Sequence, residues 1–160
     1  MLIVTDIDEC VLGWADGFYH WLTSNGYNIK TDWRNYDCVE DWLDDNLQNW
    51  NMDLIHSFNH DESFSKLEPI KKSYIFIPLL YQMGHNFVAL TACGTDPKTV
   101  ENRNKNIHSL FPNIFKNIIC VDSGKDKFEY LKMLNGSYWI EDNFQNLLKH
   151  QQGWRNHQVY

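Results

Sequence analysis

Two carboxylates, Asp6 and Asp8, flank the apolar Ile7 near the start of the 160-residue chain, and an acidic step, Glu141-Asp142, stands near its end. Carboxylates held close together repel, so one pKa rises and the other falls. A cation beside one of them enforces that split, leaving an ionised nucleophile next to a carboxylic acid able to give up a proton. Read alone, Asp6 and Asp8 fit equally well as turn formers after a strand. Asp142 suits either a helix N-cap before Asn143 or a metal ligand. Mg²⁺ takes one or two protein carboxylates with waters and phosphate oxygens in octahedral array, and Asp6, Asp142 and the backbone carbonyl of Asp8 match that need. Thr91, followed by Ala92, Cys93 and Gly94, offers a hydroxyl and backbone N–H groups to a phosphate oxygen; its plainer role is to end a strand. Lys127, or alternatively Lys125, offers a charge to neutralise Asp6 and a phosphate. Lys127 is preferred, because Leu131 and Leu134 follow at i+4 and i+7 and place it on the packed face of a helix.

These groups act together only if the chain gathers them. Leu2 to Thr5 reads as a buried strand carrying Asp6 at its end. A helix is predicted from about Gly13 to Asn25, with Trp14, Phe18, Trp21 and Leu22 as its apolar stripe. Residues 25–64 are rich in Trp, Asn and Asp, with little periodicity beyond a helix near Val39 to Leu47, and read as an insertion. A helix from Pro69 to Met83, with Ile75, Leu79 and Leu80 facing inward, is stopped by Gly84. Asn86 to Thr91 is a strand, and Asp96-Pro97 starts a helix to about Leu110. A strand at 117–121, a helix at 126–134, a strand at 137–141, a helix at 143–149 and a short edge strand at 157–160 complete the chain. Strands alternating with helices predict an α/β fold with a doubly wound, Rossmann-like parallel sheet. Ligands bind such sheets beyond the C-terminal strand ends, where Asp6/Asp8, Thr91, Lys125/Lys127 and Glu141/Asp142 all fall.

Composition narrows the partners. Apolar residues make up 43% and aromatics 15%, enough to build a core without disulfides. The net charge of −7 argues against gripping duplex nucleic acid, but a small phosphorylated substrate stays compatible once a divalent ion supplies local positive charge. The four cysteines, Cys10, Cys38, Cys93 and Cys120, form no CxxC pair and read as free thiols of a reducing compartment. The first residues lack the basic stretch of a signal peptide, and no run approaches the ~18 apolar residues a membrane span needs. The expectation is a soluble cytoplasmic protein. The seven histidines are dispersed, and only His56 and His60 have the spacing to share a helix face; surface histidines are the plain account.

The pattern resembles the haloacid dehalogenase superfamily of hydrolases. IVTDIDECVLGW is similar to its first motif, VALTACG to its second, the lysine within DSGKDKFEYL to its third and YWIEDN to its fourth, in order across nearly the whole chain. The resemblance implies that Asp6 is the phosphoryl-accepting nucleophile, Asp8 the general acid/base with its carbonyl on Mg²⁺, Thr91 and Ala92 phosphate-binding, Lys127 charge-neutralising, and Asp142 a metal ligand supported by Glu141. It implies a core of residues 1–12 and 70–160 and a small helical cap of residues 13–69. Most members carry Gly where this chain has Glu9, so the turn and the charge near the site are expected to differ. Dehalogenase-type members lack the second Asp, which favours a phosphatase.

SFSKLEPI and IEDN further resemble 5′(3′)-deoxyribonucleotidases, implying a (deoxy)nucleoside monophosphate substrate and an aspartyl-phosphate intermediate. Trp33, Tyr36, Trp42, Trp50 and Phe58 fall in the cap. They can stack on a base, at ~1–3 kcal/mol each, or form the cap's own core. A polynucleotide-end phosphatase and a non-catalytic binding protein of the same fold are the alternatives.

Overall fold

A computed structural model describes residues 1–30, 34, 39–44, 51–136, 138–143, 146–148 and 158–159. Five strands, β1 (Leu2–Thr5), β2 (Asn86–Thr91), β3 (Phe115–Cys120), β4 (Tyr138–Ile140) and β5 (Gln158–Val159), form one sheet in the order β3-β2-β1-β4-β5. Every pairing is parallel, and Val4 lies between Val88 on one side and Trp139 on the other. This is the α/β class that the alternation of strands and helices predicts. From β1 the chain winds outward to β2 and β3, then returns to lay β4 and β5 on the opposite flank. The winding direction therefore reverses between β1 and β4, which opens a crevice at their C-terminal ends.

Alternation along the strands sends side chains to two cores. On one face Val4, Leu90 and Trp139 pack with Leu131 of α6 (Phe128–Leu134). On the other, Ile3, Phe87 and Ala89 pack with Ile107 and Phe111 of and beyond α5 (Pro97–Leu110). That second core continues without a break into Phe18 and Leu22 of α1 (Trp14–Ser24), Trp42 of α2 (Val39–Trp42), Phe58 of α3 (Asn51–His60) and Phe64 of a 3-10 turn at Glu62–Lys66. Gly17 lets α1 approach that turn closely, since a Cβ there would sit 2.2 Å from Leu67 Cδ2. The segment carrying α1 to α3 leaves and rejoins the sheet domain through one antiparallel neck. Gly13 N–H donates to the Glu68 carbonyl (3.0 Å), and Ile70 N–H donates to the Val11 carbonyl (2.9 Å).

The helix before β2, α4 (Lys71–Gln82), corrects one expectation. Ile75 and Leu79, predicted to face inward, are exposed, and the buried positions are Ser73 and Ile77 with Leu80 half-buried. The single proton of the Ser73 hydroxyl is shared between the Val11 and Ile70 carbonyls, each 2.7 Å away. A polar anchor thus sets the rotation of this helix, so apolar residue counts point to the wrong face. Of the predicted helix after β4, residues 146–148 are helical and Lys149 lies outside the described residues. Among the described residues no helix is long and apolar enough to cross a membrane. Cys10, Cys93 and Cys120 are free thiols; Cys38 lies outside the described residues.

Candidate active site

The crevice between β1 and β4 is where acidic and basic side chains meet. Asp6 N–H donates to the Ile140 carbonyl (2.8 Å), which carries the β1–β4 ladder one residue past the strand and fixes Asp6 beside Glu141. One Asp6 carboxylate oxygen accepts Ile7 N–H at 2.7 Å, and the other lies 2.6 Å from Lys127 Nζ. Lys127, buried at the start of α6, also reaches Glu141 Oε2 at 2.9 Å. Carboxylate oxygens of Asp6, Glu141 and Asp142 lie within 4.8 Å of one another. These groups and Asp8, Ala92 and Lys125 line a cleft of about 360 Å³. A larger hollow of about 740 Å³, between α1 and residues 61–71, holds none of them.

The electrostatics follow from this crowding. Burial pushes the Asp6 carboxyl up to about 6, against the pull of Lys127 and with the push of Glu141. Burial also raises Asp142, and the charge of Asp6 adds to that. Burial alone would lower the Lys127 ammonium, but Asp6 and Glu141 together hold it above the usual lysine value. Lys127 thus serves two anions, with a third carboxylate at the rim. Such a surplus of negative charge favours a further cation.

The two candidate lysines separate cleanly. Lys127 is buried between carboxylates, whereas Lys125 is two-thirds exposed and pairs with Asp122 at 2.9 Å. Thr91 is fully buried, with its hydroxyl 3.4 Å from Asp8 Oδ2. The N-cap reading of Asp142 passes to its neighbour: Asn143 Oδ1 accepts Asn146 N–H at 3.4 Å, while Asp142 stays exposed in the cleft. Trp42 packs edge-on against Phe18 at 5.8 Å with almost no exposed surface, and Phe58 is fully buried. Both belong to the core and offer no face to a substrate, which corrects the stacking expectation for them. Trp33, Tyr36 and Trp50 lie outside the described residues.

Asp8 brings in a residue the motifs did not point to. Arg103 of α5 is fully buried and pairs with Asp8 Oδ1, while its guanidinium lies 4.3 Å from the centre of the Phe64 ring. Burial raises the Asp8 carboxyl, and Arg103 works against that rise. The signal in the sequence was a polar stripe. Thr99, Asn102, Arg103 and Asn106 recur at helical spacing and all face inward. Asn102 Nδ2 donates to the Asn59 carbonyl (3.0 Å) and Asn106 Nδ2 to the Leu67 carbonyl (3.0 Å), so this face holds the inserted segment by hydrogen bonds.

Glu9 resolves the departure at the end of the first motif. Its backbone is left-handed, with φ 57°, and its carboxylate accepts Ala15 N–H at 2.7 Å. Gly13, at the N-cap of α1, has no side chain to do this. Left-handed backbone costs a non-glycine residue about 1–2 kcal/mol, and a helix cap returns about 1 kcal/mol. Glu9→Gly is therefore expected to leave stability near wild type, because the lost cap and the lost strain offset. Glu9→Ala keeps the strain and loses the cap, and should fall about 1 kcal/mol below Glu9→Gly in urea unfolding.

No known protein-family model matches the chain. An uncharacterized 32.4 kDa protein of the Gp30-rIII intergenic region of Enterobacteria phage T4 is 26% identical over 162 residues, covering 92% of this chain and 54% of the relative. The chain thus spans about half the length of that curated relative. A crystal structure of a hydrolase from Streptococcus pneumoniae TIGR4 superposes with a TM-score of 0.63 at 12% identity, over 99% of this chain and 90% of the other. A class C acid phosphatase from Bacillus anthracis, solved with tungstate bound, superposes with a TM-score of 0.56 at 15% identity, over 97% and 60%. At these identities the likeness is one of fold.

Proposed function

We propose that this chain is a phosphomonoester hydrolase of the haloacid dehalogenase type, working through Asp6 and Asp8. The observation that carries this reading is the meeting of Asp6, Glu141 and Asp142 within 4.8 Å, with Lys127 Nζ 2.6 Å from Asp6, at the sheet's reversal point. The likeness of fold to a hydrolase and an acid phosphatase supports it. So does the order of the four motifs.

Asp6, Asp142 and the Asp8 carbonyl would hold Mg²⁺, with Glu141 beside them. The donors are hard oxygens, and two carboxylates plus a carbonyl leave places for water and phosphate. When bound, the ion neutralises charge on the transferring phosphoryl group. Asp6 attacks phosphorus in line, the P–O bond to the alcohol breaks, and Asp8 gives its proton to the departing oxygen. Asp8 then takes a proton from water, which hydrolyses the aspartyl-phosphate on Asp6. Lys127 keeps the attacking carboxylate and the phosphate from repelling. Thr91 and the Ala92 backbone orient a phosphate oxygen. The preferred substrate is a (deoxy)nucleoside monophosphate, under a cap formed by residues 13–69.

Hydrolysis of p-nitrophenyl phosphate with and without Mg²⁺ tests the class. A panel of mononucleotides against a 3′-phosphorylated oligonucleotide tests the substrate. Wild type equally inactive with Asp6→Asn across such a panel would overturn the enzyme reading and leave a binding protein.

The raised Asp6 pKa sets a pH dependence. The folded chain holds a proton on Asp6 up to about pH 6, whereas the unfolded chain releases it near 3.8. Stability of the metal-free protein therefore falls as pH rises through that window. Mg²⁺ competes with the same proton, so its affinity should weaken about tenfold per pH unit below 6 and level off above. The increase in Tm given by Mg²⁺ should accordingly be larger at pH 7 than at pH 5, as read by thermal unfolding.

A further inference from the structure

We propose that His56, His60 and Asp96 form a second metal site, for a borderline divalent ion such as Zn²⁺, that ties α3 to the start of α5. The two histidines stand one turn apart on α3, with ring centroids 5.6 Å apart. His60 Nε2 lies 2.8 Å from Asp96 Oδ1, and one ligand atom from each of the three residues lies within 4.8 Å of the others. Two imidazoles and a carboxylate are the donor set of a three-ligand zinc site, with water in the fourth place. Ligands around a tetrahedral zinc lie about 3.3 Å apart, for bonds of about 2.0–2.1 Å. Binding requires the exposed rings to rotate so as to close the remaining gap.

The framework around the three residues is already fixed. Asp96 is the N-cap of α5, where Oδ1 accepts Thr99 N–H at 2.9 Å. Its second oxygen, Oδ2, is buried and has no hydrogen-bond partner among the described residues, so the carboxylate keeps unused acceptor capacity. The residue before His60 is held from both sides. Asn59 accepts Asn102 Nδ2 at its carbonyl (3.0 Å) and donates its own Nδ2 to the Cys93 carbonyl (3.0 Å). Helix α3 is thus tethered to α5 and to Cys93, and the histidines are exposed enough for an ion to enter from solvent. Nitrogen donors select against Mg²⁺, which favours all-oxygen sites. The site is therefore chemically distinct from the Asp6 cleft and does not rest on the proposed activity.

Calorimetric titration of the full chain with Zn²⁺, in excess Mg²⁺ to fill the oxygen site, tests this directly. Wild type and Asp6→Asn are expected to bind one Zn²⁺ with equal affinity. Outer-shell partners alone carry roughly 10–100-fold in metal affinity, so His56→Ala and His60→Ala should each weaken binding at least about tenfold. Asp96→Asn keeps the helix cap but loses the charge, and should weaken it as well. Co²⁺ should give the intense visible absorption of a four-coordinate ion in wild type and lose it in the histidine variants. Circular dichroism confirms that each variant is folded. Absence of Zn²⁺ uptake, or equal uptake by wild type and a His56→Ala/His60→Ala double variant, would overturn the proposal. So would binding lost only with Asp6→Asn.

Discussion

Asp6→Asn is expected to remove phosphomonoester turnover, by roughly 10⁴-fold or more, while leaving the metal-free protein at least as stable as wild type. The activity loss follows from the proposed role. Removing one member of a catalytic triad costs about 10⁴–10⁶ in kcat, and an amide oxygen is a far weaker nucleophile than a carboxylate. The stability expectation comes from geometry. Asp6 is 8% exposed, and burial has raised its pKa to about 6, so at neutral pH its charge is held in an unfavourable place. The amide removes that charge and its repulsion of Glu141 and Asp142. Lys127 keeps Glu141 as a partner at 2.9 Å. Steady-state kinetics on a phosphate ester, paired with urea unfolding in EDTA, reads both halves. A variant that loses activity because it unfolds would contradict the second.

Arg103→Met is expected to give the largest stability loss, about 3–5 kcal/mol at pH 7. The guanidinium is fully buried on the Phe64 ring and pairs with Asp8. Methionine can fill much of the volume, but it leaves Asp8 without the cation that opposes its burial. Asp8 can escape the cost by taking a proton, so its pKa should rise further in the variant. The destabilisation should therefore shrink as pH falls toward 5, when the folded variant binds the proton that wild type binds less readily. Arg103→Lys recovers little, because a compact ammonium reaches less far than a guanidinium and lacks its planar fork. Unfolding at pH 7 and pH 5 checks the sign. An equal loss at both pH values would assign the effect to packing alone.

The strands were legible because β-branched and aromatic runs such as Leu2–Thr5 and Phe87–Leu90 leave few other options, and the fold class followed from their alternation with helices. The cleft residues were legible for a related reason, since a parallel sheet must gather its strand ends. Distance along the chain is then no obstacle to Asp6 meeting Glu141. The lysine was only partly legible. Helical phase pointed to Lys127, but the structure separates it from Lys125 by burial, which depends on the fall of α6 against the sheet. Hydrophobic periodicity revealed neither Arg103, although it stands in a polar stripe of helical spacing, nor the rotation of α4. Both are set by polar groups: the guanidinium, whose partner Asp8 is 95 residues away, and the Ser73 hydroxyl, which reaches Val11 across 62 residues as well as the nearby Ile70. Hydrophobic periodicity has no term for a buried polar stripe, and it read Ile75 and Leu79 as inward for the same reason. Glu9 was visible as an oddity, but its use as a helix cap needed the three-dimensional path of residues 9–15.

The neck between residues 11–13 and 68–70 has a consequence for how such a chain changes over generations. Its two crossings are stapled side by side, so the ends of the intervening segment are already together whatever lies between them. Lengthening a loop so anchored costs little, about 0.6 kcal/mol for each doubling of its span. Growth or replacement of that segment is thus nearly decoupled from the sheet beneath, provided Phe18, Leu22, Phe58 and Phe64 keep covering the face they seal. The molecule carries a splice point at which new segments can be tried beside an unchanged sheet.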